Sequence, residues 1–548
     1  MRMGLRLAAD RGLTGLAAGS VVLVAAALLV ILGPMLWQGA GAVVFEGTVE
    51  FRRMQLERHG RGDAARIEAE TAAAWQARQP VYDLLQQFRR GLDTQDLQEE
   101  ARFVYTELGK QLANRDMETE ARLAVRRFAR SLRDELLAAY ESGRKAEALA
   151  RLDAVLAHEG DARLKGTVGE RFFAMARQYR QTVSTVNLSL RQDYAQALAD
   201  VLDAVQRLFG PRPGEPRPEL TMFQYGSTRM DMARRALDDL LYAEKWEPAG
   251  PGRPLLKRRI PRQEQFAGTD LAALFPMVRQ NLDAMLLPRT TVYWQYFMDD
   301  SIPGHFFGGV GPEILGTLAL TVLSVLFAFP VGVITAAWLV EAAGEGRAVR
   351  TIRLCINTLA GVPSIVFGLF GLALFVGYLL DGRQCVLAAS LTLAVLILPV
   401  IIRASEEAIR AVPPAYKEAA LALGASRLRC FLTVQLPAAM PGILTGLILS
   451  MSRAAGETAP ILFTGAVAVG SALKVFGDRW PFLTLDWLSQ PTRALSYGGF
   501  DLAVNDKVAA MVPHQQYGMV MTLVALVLLL NVAAIGLRWR ISRKLRGQ

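Results

Sequence analysis

Residues 13–36 read LTGLAAGSVVLVAAALLVILGPML, and no charged side chain falls between Arg11 and Glu46. A helix rises about 1.5 Å per residue and the hydrocarbon core of a bilayer is roughly 30 Å thick, so about 20 apolar residues cross it. Five further stretches meet or approach that length: Ile314–Val340, Asn357–Leu380, Val386–Ile402, Pro441–Phe463 and Tyr517–Leu537. The first stretch follows Arg2, Arg6 and Arg11 as in a secretion signal, but a signal's apolar core is only about 7–15 residues long. A retained anchor is expected. Pro330 is expected to kink the second stretch, and Gly332, Gly361, Gly368 and Gly371 are small positions where helices can approach closely.

Composition agrees with a membrane protein. Of 548 residues, 52% are hydrophobic and 20% charged, and the mean hydropathy is +0.23. This excludes a disordered chain, a small disulfide scaffold and an ordinary cytosolic enzyme. Three cysteines form no CxxC pair, and His59, His158, His305 and His514 are scattered without metal-ligand spacing. The net charge of +10 is split among short segments with little aromatic interleaving, which argues against nucleic acid as a partner.

Lys and Arg placement orients the spans. Arg2, Arg6 and Arg11 precede the first. Arg347, Arg350 and Arg353 follow the second. Arg403, Arg410, Lys417, Arg427 and Arg429 follow the fourth, and Arg538, Arg540, Arg543, Lys544 and Arg546 follow the sixth. With six alternating spans these groups share one side. The other side has Arg383 in one loop, and in a second loop Lys474, Arg479, Arg493 and Lys507, offset by Asp478, Asp486, Asp501 and Asp506. The expectation is a multi-pass protein of a bacterial cytoplasmic (inner) membrane, with both termini cytoplasmic and residues 37–311 periplasmic. The basic tail suits contact with membrane lipid headgroups.

Residues 46–246 read as helical, rich in Ala, Arg, Glu, Leu and Gln. One stripe is Val125, Phe128, Leu132 and Leu136; a second is Leu198, Val201, Leu202, Val205, Leu208 and Phe209. Breaks are expected at Gly210–Gly214 and Pro248–Pro254. The spacing predicts a bundle of long antiparallel helices held without disulfides. It shows no catalytic constellation; Glu118 and Arg122 read as a solvated helix-face pair, and Asn187-Leu188-Ser189 reads as a chance sequon. Such a block could sense, brace or dock a partner.

The loop 403–440 is the most informative segment. It contains Pro414-Ala415-Tyr416-Lys417-Glu418-Ala419-Ala420-Leu421-Ala422-Leu423-Gly424 and runs on to Val434-Gln435-Leu436-Pro437. The reading is a short helix, a glycine free to turn with positive φ, and a second short helix stopped before Pro437. Such an elbow can carry motion between a soluble partner and the spans, although a lone Glu-Ala-Ala is more often an ordinary loop helix. Here the pattern is longer: Glu-Ala-Ala, three residues, Gly, nine residues, an aliphatic, one residue, Leu-Pro. It resembles the signature of binding-protein-dependent ABC importer permeases. Gly361-Val362-Pro363-Ser364-Ile365-Val366-Phe367-Gly368-Leu369, Leu398–Arg403 with Glu406-Glu407-Ala408, and Arg453-Ala454-Ala455-Gly456-Glu457-Thr458-Ala459-Pro460 narrow the resemblance to the PstA family of phosphate permeases.

The resemblance covers roughly the last 240 residues and the first span. It implies an all-α fold: a six-span permease core of ABC importer type, with a large extracytoplasmic helical domain inserted after the first span. The domains expected are 1–36, 37–311 and 312–548. It implies that Glu418, Ala419, Ala420 and Gly424 contact the ATPase. It also implies a homologous permease subunit (PstC-like), an ATPase dimer (PstB-like), a periplasmic phosphate-binding protein (PstS-like) and inorganic phosphate as cargo. No GxxxxGK[ST] loop occurs in the chain, so no cofactor is expected on it; ATP and Mg belong to the partner ATPase. The chain is expected not to be an enzyme.

Arg453 and Glu457 are placed at i and i+4 in the fifth span, on one helix face. Either charge alone in a bilayer costs at least about 2.5–3.5 kcal/mol, so both must face protein or water. One reading is a polar path for an anion, in which Arg453 attracts phosphate and Glu457 neutralises it in the empty state. The other is an ion pair that locks helices. Thr458 is a further path candidate, though a membrane Thr often bonds its own helix carbonyl. So is Ser364, where a break after Pro363 would open backbone groups to a cavity; packing of small residues is the alternative. Two other functions stay open: a permease for sulfate or molybdate, and a membrane sensor of phosphate status.

Overall fold

A computed structural model describes residues 2–545 apart from 116, 186–190, 217, 219–222, 249–254, 303–304, 345, 468–472, 474–484 and 505–511. The sequon Asn187–Ser189, Lys474, Asp478, Arg479, Asp506, Lys507, Arg546 and most of the 248–254 break lie outside the described residues. The chain divides into two compact units, one of residues 1–45 with 291–548 and one of residues 46–290. These limits differ from 37–311: residues 291–310 belong to the first unit, where Tyr293 N–H donates to Val43 O at 2.7 Å.

The first apolar run forms one helix, α1 (Arg2–Ala40), followed by strand β1 (Val44–Gly47). The inserted unit then builds α2 (Val49–His59), α3 (Ala64–Leu92), α4 (Gln95–Ala113), α5 (Thr119–Glu141), α6 (Lys145–Leu156), α7 (Arg171–Thr185), α8 (Arg191–Phe209) and α9 (Met230–Leu241). Local chemistry sets several ends. Asp63 accepts from Arg66 N–H to cap α3. Gly60 (φ 62°) closes α2 in the left-handed region. Both sequence stripes face one core: Val125, Leu132 and Leu136 on α5 and Leu198, Val201, Val205, Leu208 and Phe209 on α8 are buried, with Phe128 and Leu202 packed at its edge. Arg122, the side chain expected to pair with Glu118, donates to the carbonyls of Arg115 and Met117.

The helical reading to residue 246 overran. Strand β2 (Tyr242–Pro248) pairs antiparallel with β3 (Leu255–Pro261), Tyr242 opposite Pro261 and Trp246 opposite Lys257, and Lys257 reaches Glu244 at 2.6 Å. Tyr242 and Trp246, both good strand formers, stand just before the Pro/Gly break and were the available signal. The unit finishes with α10 (Arg262–Gln265), α11 (Leu274–Leu286) and β4 (Arg289–Val292), which pairs with β1.

One buried charge ties these helices together. Arg78 on α3 is 4% exposed and Glu50 on α2 is 1% exposed. Arg78 Nη1 lies 2.8 Å from Glu50 Oε1. The same guanidinium donates to Met285 O at 2.8 Å and Phe209 O at 3.2 Å, the last turns of α11 and α8. It therefore satisfies helix-end carbonyls that have no intrahelical donor, while lying 4.9 Å from the centre of the Phe209 ring.

The membrane unit resumes with α12 (Gly311–Glu341), which runs unbroken through Pro330, and then α13 (Arg347–Ala360) and α14 (Ser364–Gly371), which continues as a π-helical segment over Leu372–Leu379. The third apolar run is thus not one straight helix: α13 and the Ser364–Leu379 segment meet at 102°. Pro363 lacks an N–H and biases Val362 away from helical angles, which ends α13 before it. Next come α15 (Val386–Arg410), α16 (Pro414–Ala422), α17 (Arg427–Cys430), a π-helical turn over Phe431–Gln435, and α18 (Leu436–Gly456). Pro437 does not stop the helix as expected. Arg427–Gly456 is one span-length run, and the wider π turn just before Pro437 makes room for a ring that an α-helical ladder would reject. The unit closes with α19 (Ala459–Thr464), α20 (Leu495–Val504) and α21 (Pro513–Leu545).

Among the described residues five helices are long and apolar enough to cross a membrane, or six if the bent pair counts as one span. They pack through small residues. A Cβ on Gly332 would meet Ile401 Cγ2 at 2.5 Å; one on Gly442 would meet Ala408 Cβ at 2.7 Å, and one on Gly446 would strike Ala404. Gly368 and Gly371 likewise lie against Ala459–Pro460 and Thr392. A Cβ on Gly361 would meet only its own turn, at Thr358 O, 3.5 Å away, so no close helix approach is seen at that position.

Glu50→Ala should destabilise the inserted unit by about 3–5 kcal/mol, because it strands Arg78 in the core. Glu50→Leu combined with Arg78→Met should recover most of that loss. Pulse proteolysis of the full chain reads both; equal losses in the single and double variants would refute the assignment.

Candidate functional site

The elbow is built as a turn between two helices. Pro414 opens α16, and Gly424 leaves it at φ 84°. No atom lies within 4 Å of where a Gly424 Cβ would stand, so backbone conformation and not crowding calls for glycine there. Ser426 accepts from Arg429 N–H and starts α17. No residue of α16 is buried. Glu418, Ala419 and Gly424 are exposed and Ala420 is half-buried. Around them stand apolar side chains: Leu423 is 90% exposed, and Tyr416, Leu421, Leu428 and Leu432 are also open. An apolar surface of this kind on a projecting turn is built to be covered.

Polar contacts hold the neighbouring helix ends. Glu406 on α15 pairs with Arg410 at 2.7 Å and with Arg353 of α13 at 3.2 Å. Arg353 also donates to Leu339 O at 3.0 Å, and Arg403 donates to Asn357. Glu341, last residue of α12, accepts from Lys417 and Gln435.

Arg453 and Glu457 do meet, Nε to Oε1 at 3.5 Å, and both are partly buried. Their setting differs from the expected continuous helix. α18 ends at Gly456, and Glu457 turns out of it at φ −78°, ψ 129°. Ser496 Oγ donates to the Glu457 carbonyl at 3.3 Å. Thr458 follows at the N-cap of α19, and its side chain makes no cap bond. Ser364 begins α14 directly after the Pro363 break. One turn on, Gly368 packs on Ala459 and Pro460. The breaks at 361–363 and 457–458 therefore flank a single α14–α19 contact. Glu457, Thr458 and Ser364 lie at these two breaks and Arg453 in the last turn of α18 before one of them, and the four elbow residues form a separate group.

A third polar cluster escaped sequence reasoning. Arg493, 8% exposed, donates to Ser301 O at 3.0 Å and to Ser301 Oγ, and lies 3.7 Å from Glu313, 1% exposed. Ser301 Oγ donates to Glu313 Oε1 at 2.5 Å. The Arg493 main chain and the Thr492 hydroxyl cross α12 at Gly316, where a Cβ would strike them, and Leu495 N–H donates to Thr317. An acid at the head of an apolar run was the one available signal; Ser301 and Arg493 are too far apart in sequence to have been paired. Among the described residues no group of His, Cys, Asp and Glu side chains gathers as a metal site.

Residues 328–547 match the family described as "Binding-protein-dependent transport system inner membrane component". Over 257 residues the chain is 35% identical to the Mycobacterium tuberculosis (H37Rv) "Phosphate transport system permease protein PstA 1", covering 46% of this chain and 77% of that protein. With the Mycobacterium leprae "Phosphate transport system permease protein PstA" it shares 34% over 255 residues, 46% and 79% of the two chains. A solved inward-facing MetNI methionine ABC transporter aligns at 21% identity and a TM-score of 0.34, over 42% of this chain and 95% of that one.

His305 sits beside the Arg493 cluster, outside the spans. Burial, aided by the Arg493 charge, holds its imidazole down at about 4. An unfolded chain takes up that proton near 6.5. Between these values the unfolded state binds more protons, so stability is full above about pH 6.5 and falls as pH drops toward about 4. His305→Asn, which tolerates the residue's positive φ of 55°, should flatten this slope in thermal unfolding of the full chain. An unchanged slope would count against it.

Proposed function

The chain belongs to the PstA family of phosphate transport permeases, and we propose that its elbow and its broken spans are the working parts of that transport. It is a multi-pass transmembrane permease subunit of a phosphate ABC importer. The observation that carries the mechanistic reading is the pairing of Arg453 with Glu457 at a helix break, 3.5 Å apart and partly open. A fixed guanidinium in a region of low dielectric attracts an oxyanion strongly. In the empty state Glu457 balances it. Phosphate arriving at Arg453 competes with the carboxylate, so the anion is held by exchange and need not be trapped. Thr458 and Ser364, at the two breaks, supply hydroxyls beside backbone that no regular helix satisfies.

Energy enters at the other group. The exposed face of Glu418, Ala419, Ala420 and Gly424 docks on a separate ATPase subunit, which carries ATP and Mg. A homologous permease completes the pathway, and a soluble phosphate-binding protein delivers the cargo. In this arrangement the elbow and both termini are cytoplasmic and the inserted unit is periplasmic.

Labelled-phosphate uptake in cells lacking the protein tests this. Gly424→Trp should abolish uptake and the co-purification of the ATPase. Arg453→Gln should keep the ATPase bound and cut uptake about 30-fold or more, the scale of a lost charge partner. Normal uptake by Arg453→Gln would remove the path role. Faster uptake of sulfate or molybdate than of phosphate by the wild type would reassign the cargo. Deleting residues 46–290 separates an essential inserted unit from a regulatory one.

A further inference from the structure

The turn at Gly424 creates a mechanical problem. Its φ of 84° and the open space around it make it a hinge, and α16 has no buried residue to stiffen it. A hinge that is pushed from outside bends unless something spans it. Glu341 does. Its Oε2 receives Lys417 Nζ at 2.5 Å, from the arm before Gly424. Its Oε1 receives Gln435 Nε2 at 3.1 Å, from the arm after it. Gln435 is 6% exposed, so this second bond lies inside the helix packing. Cys430, also buried, adds a weak S–H contact to the Lys417 carbonyl at 3.8 Å. Both arms of the elbow thus close on one carboxylate at the end of α12, far from either in sequence.

We propose that Glu341 is the positioning residue of coupling: a strut across the Gly424 hinge that delivers thrust on α16 into α12 and α18 together. The inference rests on the reading of the elbow as the ATPase contact. An ionised carboxylate carries two separate acceptor oxygens, so it takes Lys417 on one and Gln435 on the other, the first charge-assisted; a lysine has no acceptor, and a hydroxyl carries no charge and only one oxygen. Upstream, α12 lies against α15 at Gly332–Ile401. Downstream, the π turn ending at Gln435 feeds directly into α18 and so toward Arg453. With the strut in place, the elbow moves as one body with two spans. Without it, Gly424 absorbs the stroke.

The test uses the whole importer in proteoliposomes, with its ATPase and binding protein, and reads ATP hydrolysed per phosphate imported. Glu341→Ala should retain the ATPase at the wild-type level, and its uptake should fall about tenfold, within the range of coupling between contacting residues, with ATP per phosphate rising by the same factor. Lys417→Ala should lose similarly, and the double variant should be no worse than either single one. Exchanging the charges, Glu341→Lys with Lys417→Glu, should recover part of the loss. A wild-type ratio in Glu341→Ala, or losses that multiply in the double variant, would overturn the proposal. Should the alanine variant fail to assemble, the isosteric Glu341→Gln takes its place, with a several-fold loss expected and a wild-type ratio decisive against. Failure of the docking reading itself would show elsewhere, as a Gly424→Trp protein that still binds the ATPase and transports.

Discussion

Everything in the membrane unit depends on how closely α15 can be approached. Lipid tails are as apolar as leucine side chains, so no hydrophobic force pushes spans together, and packing must do it. Gly442 and Gly446 on α18 face Ala408 and Ala404 on α15, four residues apart on each helix. Gly332 of α12 meets α15 on Ile401. With α12 and α18 drawn in, the short helices α14 and α19 are held beside the same core helix, where Gly371 meets Thr392 and Gly465 meets Ala389. The breaks beside them stay open, with Gly361, Pro363 and Gly456 exposed; at membrane depth such backbone is tolerated only against protein or a water-filled cavity.

Much of this could be read from residues alone, because the solvent makes one strong demand. Long uncharged runs have few alternatives, and the all-α, multi-pass reading holds. The stripe Leu198–Phe209 likewise faced its core, since a helical period leaves little else for those side chains to do. Proline could be read only in part. The break expected after Pro363 is present, whereas Pro437, expected to stop its helix, is accommodated by a π turn, and α12 continues through Pro330. The three have equal claim to disrupt a helix, and only the neighbours decide. The same limit hid the polar clusters. Arg493 with Ser301, and Glu341 with Gln435, join residues that no periodicity relates.

The charges follow a common rule in both units. Glu50 in the inserted unit, Glu406 with two arginines, and Glu341 with its lysine and glutamine sit at or near helix ends, and Arg78, although midway along α3, reaches the end carbonyls of α8 and α11. Arg453 and Glu457 obey it too, because the helix stops between them. A charge placed mid-helix in lipid would have no such company. Termination of a helix and placement of a charge are one structural decision here, and the functional candidates cluster where that decision is made.

The inserted unit enters through β1 and leaves through β4, and these strands pair with each other. Its two ends are therefore a single ladder apart. For the spans on either side, the detour costs no more closure entropy than a hairpin, since a folded insert with adjacent ends behaves as a short loop. Such an arrangement makes the unit a cassette: it can be exchanged, enlarged or lost between related proteins without changing the order in which the surrounding helices meet.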